Sequence, residues 1–347
     1  MKGSLEITSG EIDALLSHVL SLRRDFINDL LRDRAPFSGR RKAELRSQLK
    51  HALEEGALTV QDILAFLSER EPAGKQHVFL YRVRRESNEI WRDTEAAREA
   101  IRVADHEGLL DAELPVAMPE ALTLSSIRLS DEEVEIAAVE ARRYTEHLEA
   151  LDRPEVMDDG TEIEWRAYAH RVARSTARLR WHLGTRTAEL HITQATERGT
   201  IRNYYDKVAS RFADEVASFL DFGAFQPIDL HKVLHKLGQF EQDGRALTRS
   251  REAYFESPGG SHVRARSPSR AASVYSEPVV RQALGPVDTP TSGQGGNLYW
   301  LRSAAGNGVL EEDLHTVIVA ADSRIHFMRP SSVNAIAYVL GKVRSLS

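Results

Sequence analysis

Residues 177 to 193 constrain the fold more than any other stretch. Ala177, Leu179, Trp181 and Leu183 alternate with Arg178, Arg180 and His182, and Ala188, Leu190 and Ile192 alternate with Glu189, His191 and Thr193. Gly184 to Thr187 separate the two runs. Successive side chains of a strand point to opposite faces, so the pattern predicts a β-hairpin with one buried face. A helix should follow, with Tyr204, Val208, Phe212, Val216 and Phe219 in register. A second hairpin is expected at His315 to Val319 and Arg324 to Met328, turning at Asp322-Ser323. It too leads into a helix, starting near Ser331 or Ser332 and burying Val333, Ile336, Leu340 and Val343. An isolated hairpin is marginal in water, so the two are expected to share one sheet.

The N-terminal region has a different period. Ile12, Leu15, Leu16, Val19, Leu22, Phe26, Leu30 and Leu31 recur at helical spacing over residues 9 to 34, with Thr8 and Glu11 at capping-box spacing. Pro36 and Gly39 interrupt the chain. A second helix runs from about Arg40 to Glu55 with Leu45, Leu49 and Leu53 on one face and Gly56 at its end. Thr59 and Asp62 open a third, through Ser68. The expected class is therefore α+β: a three-helix head over residues 8–72 and an α+β body over 76–255 built on antiparallel hairpins. Within the body, His77 to Val83 reads as a strand, Thr94 to Asp105 as a helix, and Asp229 as the start of a helix carrying Leu230, Val233, Leu234 and Leu237. Residues 122–140 read as a strand pair or as a helix starting at Asp131-Glu132-Glu133. Ser, Pro, Gly and Arg dominate 256–297, which is expected to be a mobile loop, and 298–347 complete the body.

Composition narrows the function classes. The 347 residues carry a net charge of −6, so any nucleic-acid footprint must be local. There is no cysteine, which excludes disulfides, thiolate metal sites and cysteine nucleophiles and suits a reducing, cytoplasmic location. No run approaches a membrane span, and the N-terminal stretch lacks the apolar core of a signal peptide. No phosphate loop, nucleophile elbow or dinucleotide fingerprint is present, and no cofactor is expected. His231 and His235 have the i, i+4 spacing of metal ligands but lack the HExxH pattern, and no metal is expected.

Charge concentrates in one place. From Arg32 to Lys50, Arg32, Arg34, Arg40, Arg41, Lys42, Arg46 and Lys50 face only Asp33 and Glu44. Such a surplus would meet phosphates, and the N–H groups after Ser38-Gly39 would add the anion-binding end of a helix. Ser38-Gly39, Lys42-Ala43-Glu44-Leu45 and Leu49 resemble the SAP module, a short helix–loop–helix that binds duplex DNA; here Gly39 sits three residues before Lys42, one more than in that pattern. The order Arg41-Lys42, Leu49, His51, Glu54-Glu55 and Asp62 is more distantly similar to the helical head of the centromere protein N family, in which the head leads into a β-containing body and the protein engages DNA or chromatin. Both resemblances imply a basic, DNA-facing head and bring no catalytic residue.

The expected partner is duplex DNA, gripped without catalysis through Arg34, Gly39, Arg40, Arg41, Lys42, Arg46 and Lys50. Arg178 and Arg180 would extend the surface, because burial of Trp181 turns them to the opposite face. Two alternatives stay open. One is a scaffold whose acidic 131–164 stretch engages a basic protein; the other is an enzyme with an unrecognised site in the body.

Overall fold

The computed structural model describes residues 9–32, 41–112, 118–194, 204–256, 260–284, 289, 293–306 and 308–347. The fold is α+β, with N-terminal helices followed by a strand-rich body. The head holds α1 (Ser9–Val19), α2 (Arg24–Leu31), α3 (Lys42–Glu54) and α4 (Val60–Arg70). The body continues with β1 (Gln76–Val83), α5 (Arg85–Arg92), α6 (Thr94–Val103), β2 (Thr123–Leu129), β3 (Glu133–His147), β4 (Arg153–Val156), β5 (Glu162–Trp165), β6 (Tyr168–His182) and β7 (Thr187–Thr193). Then come α7 (Tyr204–Val216), β8 (Phe225–Pro227), α8 (Leu230–Gln242), β9 (Thr248–Glu256), β10 (His262–Arg266), α9 (Pro278–Leu284) and β11 (Gly293–Trp300). The chain closes with α10 (Arg302–Ala305), β12 (Leu314–Val319), β13 (Arg324–Phe327) and α11 (Val333–Leu346).

Both hairpins form, and they do share a sheet. Its order is β10-β9-β11-β12-β13-β1-β7-β6-β3-β2, with β8 beside the second half of β1, and every pairing is antiparallel. β1 joins the hairpins: Val78 lies opposite His191 on one edge and Ile325 on the other. Its two faces serve two cores. Phe79, Tyr81 and Val83 pack with β2, β3, β6 and β7 under α5, α6 and α7, while Val78 and Leu80 pack with β11, β12 and β13 under α8 and α11. Residues 122–140 are the strand pair, not a helix.

Three expectations need correction. The first helix breaks in two at Leu20–Arg23, giving four head helices. No Gly or Pro marks the break; Leu20 and Leu22 stay buried through the turn, so the apolar period runs across it. Within 256–297 the described residues include β10, α9 and the start of β11. Val274, Tyr275 and Leu284 pack on Ala253 and Phe255, and Ser273 donates to Glu241 of α8. Gly238 of α8 makes room for this segment, since a Cβ there would lie 2.7 Å from the Tyr275 hydroxyl. A few apolar anchors and Glu241 order a stretch whose composition is that of a linker. Val333 stays exposed at the start of α11.

Helix α5 was not legible because its surface is charged. Only Asn88 and Trp91 are buried. Asn88 earns its place by accepting from Trp181 Nε1 at 2.9 Å and donating to the Leu183 carbonyl at 3.0 Å.

Buried histidines make stability depend on pH. His77 stacks on Tyr205 (3.5 Å between centroids) and on His326 (4.0 Å). Burial, then neighbouring cationic groups, lowers His77 to about 2 and His326 and His315 to about 4, from 6.5. His182 goes the other way. Its bonds to Glu133 and Glu189 raise it to about 9. The first three stay neutral in the fold while the unfolded chain protonates near 6.5, so acidification below that value favours unfolding. The His182 contribution is complete below 6.5 and is lost as pH rises through about 9. Urea unfolding across pH should therefore show a maximum near neutrality, and His182→Gln should flatten the alkaline limb while leaving the acid limb in place.

Candidate nucleic-acid interface

The head docks on the sheet through one buried carboxylate. Glu71, in the turn between α4 and β1, is held by His18 Nε2 at 2.8 Å and by Arg178 Nη2 at 3.3 Å. Burial alone would raise its pKa; His18, Arg178 and Arg174 outweigh that and bring it down to about 2. Arg178 also donates to the Ser68 carbonyl at 3.2 Å.

This arrangement corrects the expected exposed row. The alternation holds, with Trp181 and Arg178 on opposite faces, but the head covers the arginine face, and Arg178 is buried. Arg180 is half-buried and donates to both oxygens of Glu133, at 3.1 and 3.0 Å. Two cations of the head are committed as well. Arg46 donates to Asp13 Oδ1 at 3.1 Å and to Ser17 Oγ at 3.0 Å, and Lys50 lies 3.0 Å from Asp13, tying α3 to α1. Arg34, Gly39 and Arg40 lie outside the described residues. Arg41 and Lys42 are exposed at the start of α3. The Arg41 N–H donates to Glu44 Oε2 at 3.1 Å, so a carboxylate of the same helix already uses that donor.

Lys42 borders a cleft of about 390 Å³ between head and sheet. Lys75, just before β1, lines it too, as do Arg142 of β3 and Arg174 of β6. Pairing of β3 with β6 sets Ala141 opposite Arg174 and Arg142 opposite Ala173, so the two arginines leave opposite faces of the ribbon although both border the cleft. Arg142 is positioned by the Tyr204 ring, 4.1 Å below its guanidinium. Tyr204 is fixed in turn by donating to Glu140 at 3.1 Å, and Glu140 accepts two bonds from Arg211. Burial pushes the Arg174 pKa down, with Glu71 opposing. Among the residues that line the cleft, Glu71 is the one carboxylate, and it already faces His18 and Arg178.

Sequence reasoning found Arg41 and Lys42 and missed Lys75, Arg142 and Arg174. The available signal was slight: Arg142-Arg143 interrupts an acidic stretch. The β3–β6 register that gathers these groups spans an insertion of 20 residues, 148–167.

Two of the cleft's serines are occupied locally, and Ser175 lies 3.4 Å from the Tyr204 hydroxyl. Ser17 donates to the Asp13 carbonyl at 2.7 Å and Ser21 to the His18 carbonyl at 2.6 Å. Among the described residues no three His, Asp or Glu side chains group as metal ligands. His231 instead hydrogen-bonds the Gly293 carbonyl at 2.9 Å, and His235 contacts Gln239 at 3.0 Å. No described helix is long and apolar enough to cross a membrane. No protein-family model matches this chain, and no curated protein matches it at a significant level.

Removing the Glu71 charge should separate the head from the sheet. Glu71→Gln keeps the shape but removes the carboxylate that faces the buried Arg174 and leaves Arg178 only the longer contact with Glu135, at 3.7 Å. Breaking such a pair costs about 3–5 kcal/mol. Urea unfolding should show a loss of that size, whereas Glu69→Gln, on the exposed side of α4, should be near neutral.

Proposed function

We propose that the protein is a non-enzymatic DNA-binding protein that grips the phosphates of duplex DNA across the cleft between its helical head and its sheet. The observation that carries this reading is the charge of the cleft. Lys42, Lys75 and Arg142 border it with the buried Arg174 behind them, and Glu71 is the one carboxylate among the lining residues. Arg41 extends the positive surface along the exposed start of α3. The SAP-like pattern at Lys42-Ala43-Glu44-Leu45 points the same way.

Phosphate contacts position a protein on DNA without reading bases. The cations of the cleft meet phosphates whatever the base sequence, so shape and charge should dominate over sequence.

Three phosphate contacts, from Lys42, Lys75 and Arg142, imply a slope of about −2.7 in log K against log salt, or roughly 40-fold between 50 and 200 mM. The full chain, titrated with a duplex of arbitrary sequence, should show that slope. Lys42→Ala/Lys75→Ala, two exposed positions, should weaken binding and flatten the slope by about 2. Affinity that ignores salt, or a double variant that binds like the parent, removes the basis for this reading.

A further inference from the structure

We propose that the ribbon at the far end of β3 and β6, capped by β4 and β5, is a docking site for a protein partner that presents a basic segment bearing apolar side chains. This surface is separate from the cleft and independent of the DNA reading.

The ribbon leaves the main sheet. β3 and β6 pair with each other out to His147 and Tyr168, but β2 follows β3 only to Val139, and β7 follows β6 only to Ala177. Beyond those points, among the described residues, the two strands form a two-stranded arm. The separate β4–β5 sheet forms its tip.

Exposed apolar side chains concentrate there. Of the ten large hydrophobic residues exposed among the described residues, six lie between positions 151 and 172: Leu151, Val156, Met157, Trp165, Tyr168 and Val172. Val156 is 66% exposed and Trp165 50%. Scattered exposed hydrophobics are ordinary, but a cluster of them on a projecting element marks an interaction surface. Trp165 is also held in place, donating from Nε1 to Glu155 at 2.5 Å. A fixed, exposed tryptophan is the type of residue that anchors protein interfaces.

Charge identifies the occupant. Residues 148–167 carry seven acidic side chains against Arg153 and Arg166, and Arg166 is paired with Glu164 at 2.9 Å. This potential repels nucleic acid and anionic lipid and attracts lysine and arginine. Apolar groups on the partner would cover Trp165 while its cations meet Glu155 on the same face of β4–β5; Val156, Glu162 and Glu164 carry the same pairing of apolar group and acid onto the opposite face of the tip.

Trp165 supplies the readout, because Trp91, Trp181 and Trp300 are buried. The probe is a synthetic peptide of alternating Lys and Val, with Lys–Ser and Glu–Val peptides of equal length as controls. The Lys–Val peptide should protect the full chain from acrylamide quenching and bind at least tenfold tighter than either control. By anisotropy of the labelled peptide, Trp165→Ser/Val156→Ser should lose at least tenfold, with circular dichroism and duplex-DNA affinity unchanged. Equal binding of Lys–Val and Lys–Ser, or no binding, overturns the proposal. So does sedimentation showing self-association that the double variant abolishes, since the occupant is then a second copy.

Discussion

The eight residues of β1 hold the two halves of this protein in register. Every position of β1 but Arg82 is buried. One edge pairs with β7, and the other is shared between β13 and β8. Side chains alternate between two separate cores, so a slip of one residue would send Val78 and Leu80 into the space of Phe79 and Tyr81. Two cores reading the same strand specify its register twice. A polar tie reinforces the joint: Glu189 of β7, buried beside His191 and His182, accepts from Arg344 of α11 at 2.6 Å and so links the helix over one core to the sheet of the other.

The same strand fixes the head. Glu71 lies five residues before Gln76, and its position follows from where β1 enters the sheet. Its carboxylate faces His18 from the head and Arg178 from β6. Buried ion pairs of this kind add little net stability over an apolar substitute, but they penalise any arrangement that separates the partners. In this protein the penalised arrangement is a head detached from the sheet. Lys42, Lys75, Arg142 and Arg174 outnumber Glu71 among the lining residues, so the cleft keeps a surplus of positive charge. A chain of net charge −6 thus holds a local basic site, and its acid concentrates on the arm at the other end of β3 and β6.

The fold was largely legible where one face of an element meets solvent. The hairpin at 177–193 read correctly because its apolar and polar residues alternate, and the helix from Asp229 because its cap and stripe agree. Legibility failed where tertiary contacts override local pattern. The break at Leu20–Arg23 is hidden because both sides of the turn are buried. Helix α5 is hidden because one tryptophan and one asparagine suffice to hold it. The folded parts of 260–284 rest on Glu241 and Gly238, residues of a helix that precedes them in the chain. Arg178 looked exposed because alternation tells which residues share a face and does not tell what covers that face. The candidate site was half legible for the same reason. Arg41 and Lys42 stand in a basic run, whereas Arg142 and Arg174 stand on two strands and border one cleft only in the folded chain.

A site assembled this way behaves differently from a self-contained DNA-binding motif. Lys42 belongs to the head, Lys75 to the approach to β1, and Arg142 and Arg174 to the sheet. On the DNA-binding reading, no single segment carries the grip, and a phosphate chain lying across the cleft touches both sides of the head–sheet joint. Such a ligand binds the docked arrangement better than an undocked one, so by linkage it stabilises the joint that creates its own site. The converse also holds. Loosening the Glu71 cluster would move Lys42 away from Arg142 and Arg174, and affinity would fall although every phosphate-facing cation is still in the chain. On that reading binding strength and head docking are two measures of one equilibrium, and Glu71, though it would repel DNA, holds together the surface proposed to bind it.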